Sequence, residues 1–440
     1  MGTLQSGRGA QRKRFAAYME GLAEAAGHSD RRVPLKNYCM GLLLPGGRKS
    51  VEPMAALLAP ENVRRMHQSL HHVVADAPWD DAQVLTQIRS RVLPAMLKHG
   101  PVAAWVIDDT GFPKKGSHSV GVARQYCGQL GKQDNCQVAV SLSVSTAGLS
   151  LPVAWRLYLP EIWTGDAERR SKAGVPEEVN FQTKPELALE QIRQAVEQGI
   201  PAGVVLADAA YGGNTKFREG ISELGLQYAV GIQFNTTVWE PGVQPLPAKP
   251  RGKGRGRPAK LLQHGPDNQP VTVKQLALSL PAAAWRDIGW RQGTRQALRS
   301  RFAAVRVRAA HRDHLRTEPY PEQWLLTEWP KGEAEPAKYW LSTLSPATKL
   351  KDLVRIAKHR WIIERDYEEL KQELGLGHYE GRGWRGFHHH ATLCIAAYAF
   401  LVSERSLFSP SARVGHVGLR ALRKPAGFQP RGAARASRAA

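Results

Sequence analysis

The spacing of hydrophobic and polar positions changes more than once along this chain. Up to about residue 95, apolar residues recur at helical intervals. Residues 12–26 are Ala-rich and charged. Residues 62–75 (NVRRMHQSLHHVVA) follow Pro60, and Asp80 or Asp81 is placed to cap a helix through AQVLTQIRSRVLPAML. GGRKSVEPMA, from Gly46, reads as a basic turn between them. From Ala103 the period shortens. AAWVIDDT is an apolar run ending in two acids, which predicts a buried strand with carboxylates at its tip. After the loop GFPKKGSHS, the runs VGVARQYC and QVAVSLSVS alternate as two further strands, and LPVAWRLYLP is a fourth. An acidic linker leads to the helix ELALEQIRQAVEQG. VVLADAAYGG is another apolar strand ending in an acid, Asp208, and NTKFREGISELG (helix) and QYAVGIQ (strand) complete the series. The first connections are too short for parallel crossovers and the later ones are long enough. The pattern predicts an α/β domain: a ribonuclease H-like mixed sheet flanked by helices, begun at 98–235 and preceded by an N-terminal helical region at 1–97.

Between 236 and 330 the series is interrupted. AKPRGKGRGRPAK, at 248–260, has six cations (Lys253 and Arg255 among them), no acid, and several Gly and Pro. Such a stretch predicts a flexible basic loop. RSRFAAVRVRAAHRDHLR then alternates, with Val305 and Val307 on one face and Arg306 and Arg308 on the other. EQWLLTEWP and KYWLSTL are two more strands, so the interruption reads as a β-rich insertion with an Arg-studded face. Residues 331–408 close the α/β domain, with a helix expected over 349–374. On a helical wheel, Arg360, Glu364, Tyr367 and Lys371 form one stripe beside an apolar stripe of Ile356, Ile363, Leu370 and Leu374. His388, His389 and His390 open a further helix, and adjacent residues there point in different directions, so they cannot share one metal. Residues 409–440 contain no acid and read as a disordered basic tail.

Charge gives these segments a partner. Lys plus Arg number 61 against 39 Asp plus Glu in 440 residues, a formal charge of +22. Such an excess points to a polyanion, and nucleic acid is the usual one. In the N-terminal region, Arg64, Arg65, Arg89 and Arg91 suit either DNA ends or a scaffold with solvated faces. The four cysteines show no ligand spacing, which predicts reduced thiols. No apolar run approaches a membrane span and the polar start is unlike a signal peptide, so a soluble, cytoplasmic protein is expected. The order of elements brings together three acids: Asp108 or Asp109, Asp208, and Glu364. A carboxylate triad of this kind serves phosphodiester cleavage and transfer, in which two divalent ions about 4 Å apart activate the attacking oxygen and stabilise the leaving one. Mg²⁺ takes carboxylates and water rather than His or Cys.

HRWIIERDYEELKQELG resembles the Tyr-Arg-Glu-Lys signature of the DDE transposases of bacterial insertion sequences. That signature has three residues between Arg and Glu and six between Glu and Lys, as Arg360, Glu364 and Lys371 do here. IDDTGFPKKGSHSVGVARQYCGQLGK, VLADAAYG and GLGHYEGRGWRGFHHH extend the likeness to the insertion-sequence-four superfamily, in particular its seven-oh-one branch, over residues 49–404. The resemblance implies that Asp109 (followed by the hydroxyl residue Thr110), Asp208 and Glu364 are catalytic and hold Mg²⁺, with Mn²⁺ as substitute, as two ions. It implies phosphate contacts from Arg360 and Lys371, and Trp361 near a displaced base, where stacking is worth about 1–3 kcal/mol. The signature's Tyr is replaced by Ala357, leaving Tyr367 or Tyr211 to supply the hydroxyl. Transposon-end contacts are expected from Arg306, Arg308, Lys253 and Arg255 on the insertion. The partners implied are double-stranded DNA, as transposon ends and target, and a second copy of the chain in a homodimeric synaptic complex. The reaction implied is strand cleavage and transfer in cut-and-paste transposition in the bacterial nucleoid. A ribonuclease H-fold nuclease that never joins ends, and an inactive DNA-binding derivative, are the alternatives.

Overall fold

The computed structural model describes residues 2–248, 260–293 and 297–407. The basic loop with Lys253 and Arg255 and the C-terminal tail lie outside the described residues. The chain divides into two compact units, one of residues 1–99, 368–381 and 385–440, the other of residues 100–367 and 382–384.

The first unit begins with α1 (Gly2–Ala25), α2 (Arg32–Leu43), α3 (Val51–Leu58), α4 (Val63–His71) and α5 (Asp81–Leu97). Asp80 caps α5, its carboxylate accepting from the Ala82 amide at 2.8 Å. Leu22, Leu35, Tyr38, Leu42, Met54 and Ile88 form the interior. The basic turn expected from Gly46 is shorter than predicted, because α3 starts at Val51 with Glu52 in its first turn, where the helix dipole favours an acid. Arg64, Arg65 and Arg91 are exposed, whereas Arg89 is buried and donates to Thr86 Oγ1 at 2.7 Å.

The second unit carries the sheet. Its elements are β1 (Ala104–Pro113), β2 (Ala123–Cys127), β3 (Lys132–Ser145), β4 (Ser150–Leu157), α6 (Glu161–Thr164), α7 (Ala167–Ala173), α8 (Lys184–Glu197), β5 (Val204–Ala207), α9 (Ala209–Gly212), α10 (Thr215–Glu223) and β6 (Tyr228–Ile232). Then follow β7 (Thr237–Trp239), β8 (Val271–Thr272), α11 (Val273–Ser279), β9 (Arg286–Gln292), β10 (Ala297–Ala309), β11 (Gln323–Trp329), β12 (Lys338–Ser342), α12 (Leu350–Lys358) and α13 (Trp361–Glu368). β1 pairs antiparallel with β3 and parallel with β5, and β5 is parallel to β6. With β4 on the far side of β3, the order β4-β3-β1-β5-β6 is the ribonuclease H-like mixed sheet. The inserted strands extend it, since β12 joins β6 and is followed by β11 and β10. Ala104, Val106, Leu206 and Ala229 pack with Ile362 and Ile363, which seats α13 on the face of the sheet shown by the even-numbered residues of β1.

The predicted single helix over 349–374 is instead three pieces: α12, α13 and a π-helical turn at Glu369–Glu373. The turn closes with Leu374 N donating to Glu369 O at 3.1 Å, five residues back. That wider step breaks the 3.6-residue phase on which the stripe ending at Lys371 was drawn. α14 (Trp384–Arg405) carries His388, His389 and His390, each 2% exposed. In the first unit, His389 stacks on Trp79 with centroids 3.6 Å apart, and His390 Nδ1 lies 2.9 Å from the Tyr38 hydroxyl. These histidines are core residues. All four cysteines are buried free thiols, and no described helix is long and apolar enough to cross a membrane.

Candidate active site

The strand register places the acids. Val106 of β1 stands opposite Leu206 of β5, so two residues on, where β5 has ended, Asp108 comes level with Asp208. Asp208 caps α9, its Oδ1 accepting from the Ala210 amide at 2.9 Å. The turn lies close on β6, and a Cβ at Gly212 would overlap the Gly231 carbonyl oxygen, so glycine is required there. From the corner just before α13, Arg360 reaches across. Its Nη2 is 2.8 Å from Asp108 Oδ1 and 3.9 Å from Asp208 Oδ2, and its Nη1 is 4.0 Å from Glu364 Oε1. One guanidinium thus gathers three carboxylates from a strand, a strand-following turn and a helix.

Electrostatics follow from burial. Desolvation pushes the Asp108 carboxyl up to about 7; Arg360 opposes this, while Asp208 and Asp109 add to it. For Arg360, burial works against the charge, and Asp108 and Asp208 outweigh it, so the net shift is upward. Arg360 Nε is buried without a hydrogen-bond partner. The Glu364 side chain is 72% exposed and so has room to swing.

Asp109, the acid taken from the resemblance, points the other way, as neighbouring strand residues do. Its Oδ2 accepts from Lys184 Nζ at 3.0 Å and from the Tyr211 hydroxyl at 3.1 Å. Lys184 was not singled out from the sequence. It opens α8 behind a capping box in which the Thr183 amide donates to Glu186 Oε2 at 2.8 Å. No local pattern distinguishes it from other surface lysines; only the tertiary fold brings it to Asp109.

The other expected DNA contacts divide. Tyr367 lies on the side of Asp108 and its hydroxyl is 2.7 Å from Ser141 Oγ; burial raises its pKa well above the usual value. It is partly buried against the cluster that seats α13, whereas Tyr211 points its hydroxyl at Asp109. Ala357, at the missing tyrosine's position, is buried against Phe302 and Trp340. Trp361 is half-buried with the Arg291 guanidinium 4.0 Å above its ring and that of Arg365 at 5.6 Å. Arg306 and Arg308 are held by the chain before β11: Arg306 donates to Glu322 O at 2.6 Å and Arg308 to Tyr320 O at 2.7 Å. Burial lowers the pKa of Arg306, and its Nη1 has no partner. Each of the two thus spends one donor on a backbone carbonyl within the insertion. Lys371 is half-buried in the π-helical turn and belongs to the other compact unit.

The donor set is all carboxylate, which suits a hard divalent ion such as Mg²⁺. Three acids lie within 4.0 Å of the one Arg360 guanidinium. Among the described residues, no three groups lie close enough to hold an ion as they stand.

The sequence profile of the DDE superfamily endonucleases matches residues 21–297, more than half of the chain and including β1, β5 and the Asp208 turn. The chain belongs to the DDE superfamily of endonucleases. It is also 35% identical over 192 residues to the probable transposase for insertion sequence element IS701 of Microchaete diplosiphon, across 43% of this chain and 46% of that protein. The matched stretch therefore spans about half the length of the relative. DDE endonucleases generally work through divalent metal ions.

Proposed function

We propose that this DDE endonuclease is a transposase, which binds the terminal inverted repeats of an insertion sequence, cleaves a strand at each end and transfers the 3′-hydroxyls to target DNA. The observation that carries the reading is the convergence of Asp108, Asp208 and Glu364 on Arg360. Support for an insertion-sequence substrate comes from the likeness to the IS701 transposase. A homodimer would pair two ends.

Asp108, Asp208 and Glu364 would hold Mg²⁺ or Mn²⁺, with two ions expected. Bound there, the metal would activate the attacking oxygen and stabilise the leaving one. The protein's own groups do the rest. Asp108 lies within reach of both its neutral and its charged form near pH 7. Arg360 stabilises the paired acids now, and its fork suits a DNA phosphate once their charge is otherwise compensated. Lys184 and Tyr211 fix Asp109 and set a cation beside the same strand tip.

The test is cleavage of a labelled duplex bearing the element's end, with Mg²⁺ or Mn²⁺. Glu364→Gln is expected to abolish cutting and leave end binding intact. Asp108→Asn should do the same, and Asp109→Asn should cut more slowly but measurably. A Glu364→Gln protein that cuts like the wild type refutes the assignment. If Asp109→Asn is the dead variant and Asp108→Asn is active, the first-strand ligand is Asp109. Strand transfer of pre-cut ends separates a transposase from a nuclease that never joins.

A further inference from the structure

The chain enters α13 through a corner that nothing local requires. No Pro or Gly lies between Leu350 and Glu368, yet α12 stops at Lys358 and α13 starts at Trp361. Across the corner, hydrogen bonds reach back three residues instead of four. His359 N donates to Ile356 O at 3.0 Å, Ile362 N to His359 O at 3.1 Å and Ile363 N to Arg360 O at 3.1 Å. A break of this kind needs a cause other than Pro or Gly.

Lys358 enters a cage on the inserted sheet. Its Nζ donates to Glu328 Oε2 at 2.6 Å and lies 4.3 Å from the Trp290 ring centroid, 5.6 Å from Trp340 and 5.8 Å from Phe302. These four residues come from β9, β10, β11 and β12, one from each strand. The Lys358 side chain is 13% exposed and that of Glu328 5%. A cation so far out of water tolerates little change of place, because its ion pair and the ring faces must stay together to offset lost hydration. The next residue is held as well, His359 Nε2 lying 3.0 Å from Ser145 Oγ on β3. Arg360 follows directly.

We propose that Lys358 is a positioning residue: its seat in the four-strand cage sets the corner and thereby aims Arg360 at Asp108, Asp208 and Glu364. It touches none of the acids itself. The role in catalysis rests on the transposase reading; the aiming of Arg360 does not.

The test uses the full chain with Lys358→Met, which keeps the aliphatic stem and removes the charge. The first readout is independent of activity: the rate at which phenylglyoxal modifies Arg360, followed by peptide mass mapping, with Arg405, ion-paired to Glu369 at 2.9 Å, as internal reference. Arg360 should react severalfold faster in the variant while Arg405 does not change, and Lys358→Arg should restore protection. The comparison is made at a temperature where both proteins are folded, because Met leaves Glu328 buried and unpaired and lowers the melting temperature. In end cleavage, kcat should fall about tenfold or more with KM for the DNA end nearly unchanged, and the loss should vanish in an Arg360→Ala background. Unchanged Arg360 reactivity in a folded Lys358→Met protein overturns the proposal. Should that variant fail to fold, Glu328→Gln is read in the same way. If reactivity rises as expected but wild type cuts no DNA, the positioning role stands and the transposase reading falls.

Discussion

Asp108 sits where burial and a second carboxylate act in the same direction. Its pKa, about 7 against an ordinary 3.8, means that the folded state binds this proton more tightly than the unfolded chain. Stability from this group is therefore fully present below the ordinary value and is lost as pH rises through about 7. In EDTA, wild type should lose stability relative to Asp108→Asn between about pH 4 and 7, with a full difference of up to about 4 kcal/mol. Parallel stability curves for the two proteins would show that Asp108 titrates normally. The same residue illustrates the limit of reading a strand tip. Two adjacent acids are visible in IDDT, but which one faces α13 depends on the register of β1 against β5 and on the seating of Ile362 and Ile363.

At the level of elements, the site depends on how closely α9 approaches β6. Gly212 has no room for a methyl group beside the Gly231 carbonyl, so Gly212→Ala should push the Asp208 turn off the sheet. A destabilisation of about 1–3 kcal/mol is expected from overpacking, visible as a lowered melting temperature, together with a loss of cleavage larger than the fraction unfolded explains. A variant with wild-type stability and activity would mean that the turn relaxes freely. The strands and helices of the core were legible from alternation and capping signals. The corner at Arg360 and the π-helical turn were not, because helical periodicity in 349–374 continues through both and no Pro or Gly marks either. Hence Arg360, in the turn just before α13, and Glu364 on α13 share a face, while Lys371, inside the π-helical turn, falls out of phase.

For the whole molecule, the formal charge of +22 makes DNA affinity a strong function of salt. The logarithm of the binding constant should fall linearly with that of salt concentration, with a slope of about −0.9 per phosphate neutralised. A flat dependence would argue against a phosphate-dominated interface. Arg306 and Arg308 should contribute little to this slope, since loop carbonyls already hold them.

By itself the sequence determined the ribonuclease H-like order of elements, the acidic ends of two strands, the cation-flanked glutamate and the polyanion-seeking charge. Periodicity, terminal residues and composition are local or additive properties, written directly in the chain. Only the tertiary structure decided that Asp108 rather than Asp109 meets Arg360, that Lys184 and Tyr211 hold Asp109, that the three histidines are interior, and that Lys358 is caged by four strands. Each of these depends on strand register, helix phase and desolvation, which arise when distant segments pack and leave no pattern in the neighbouring residues.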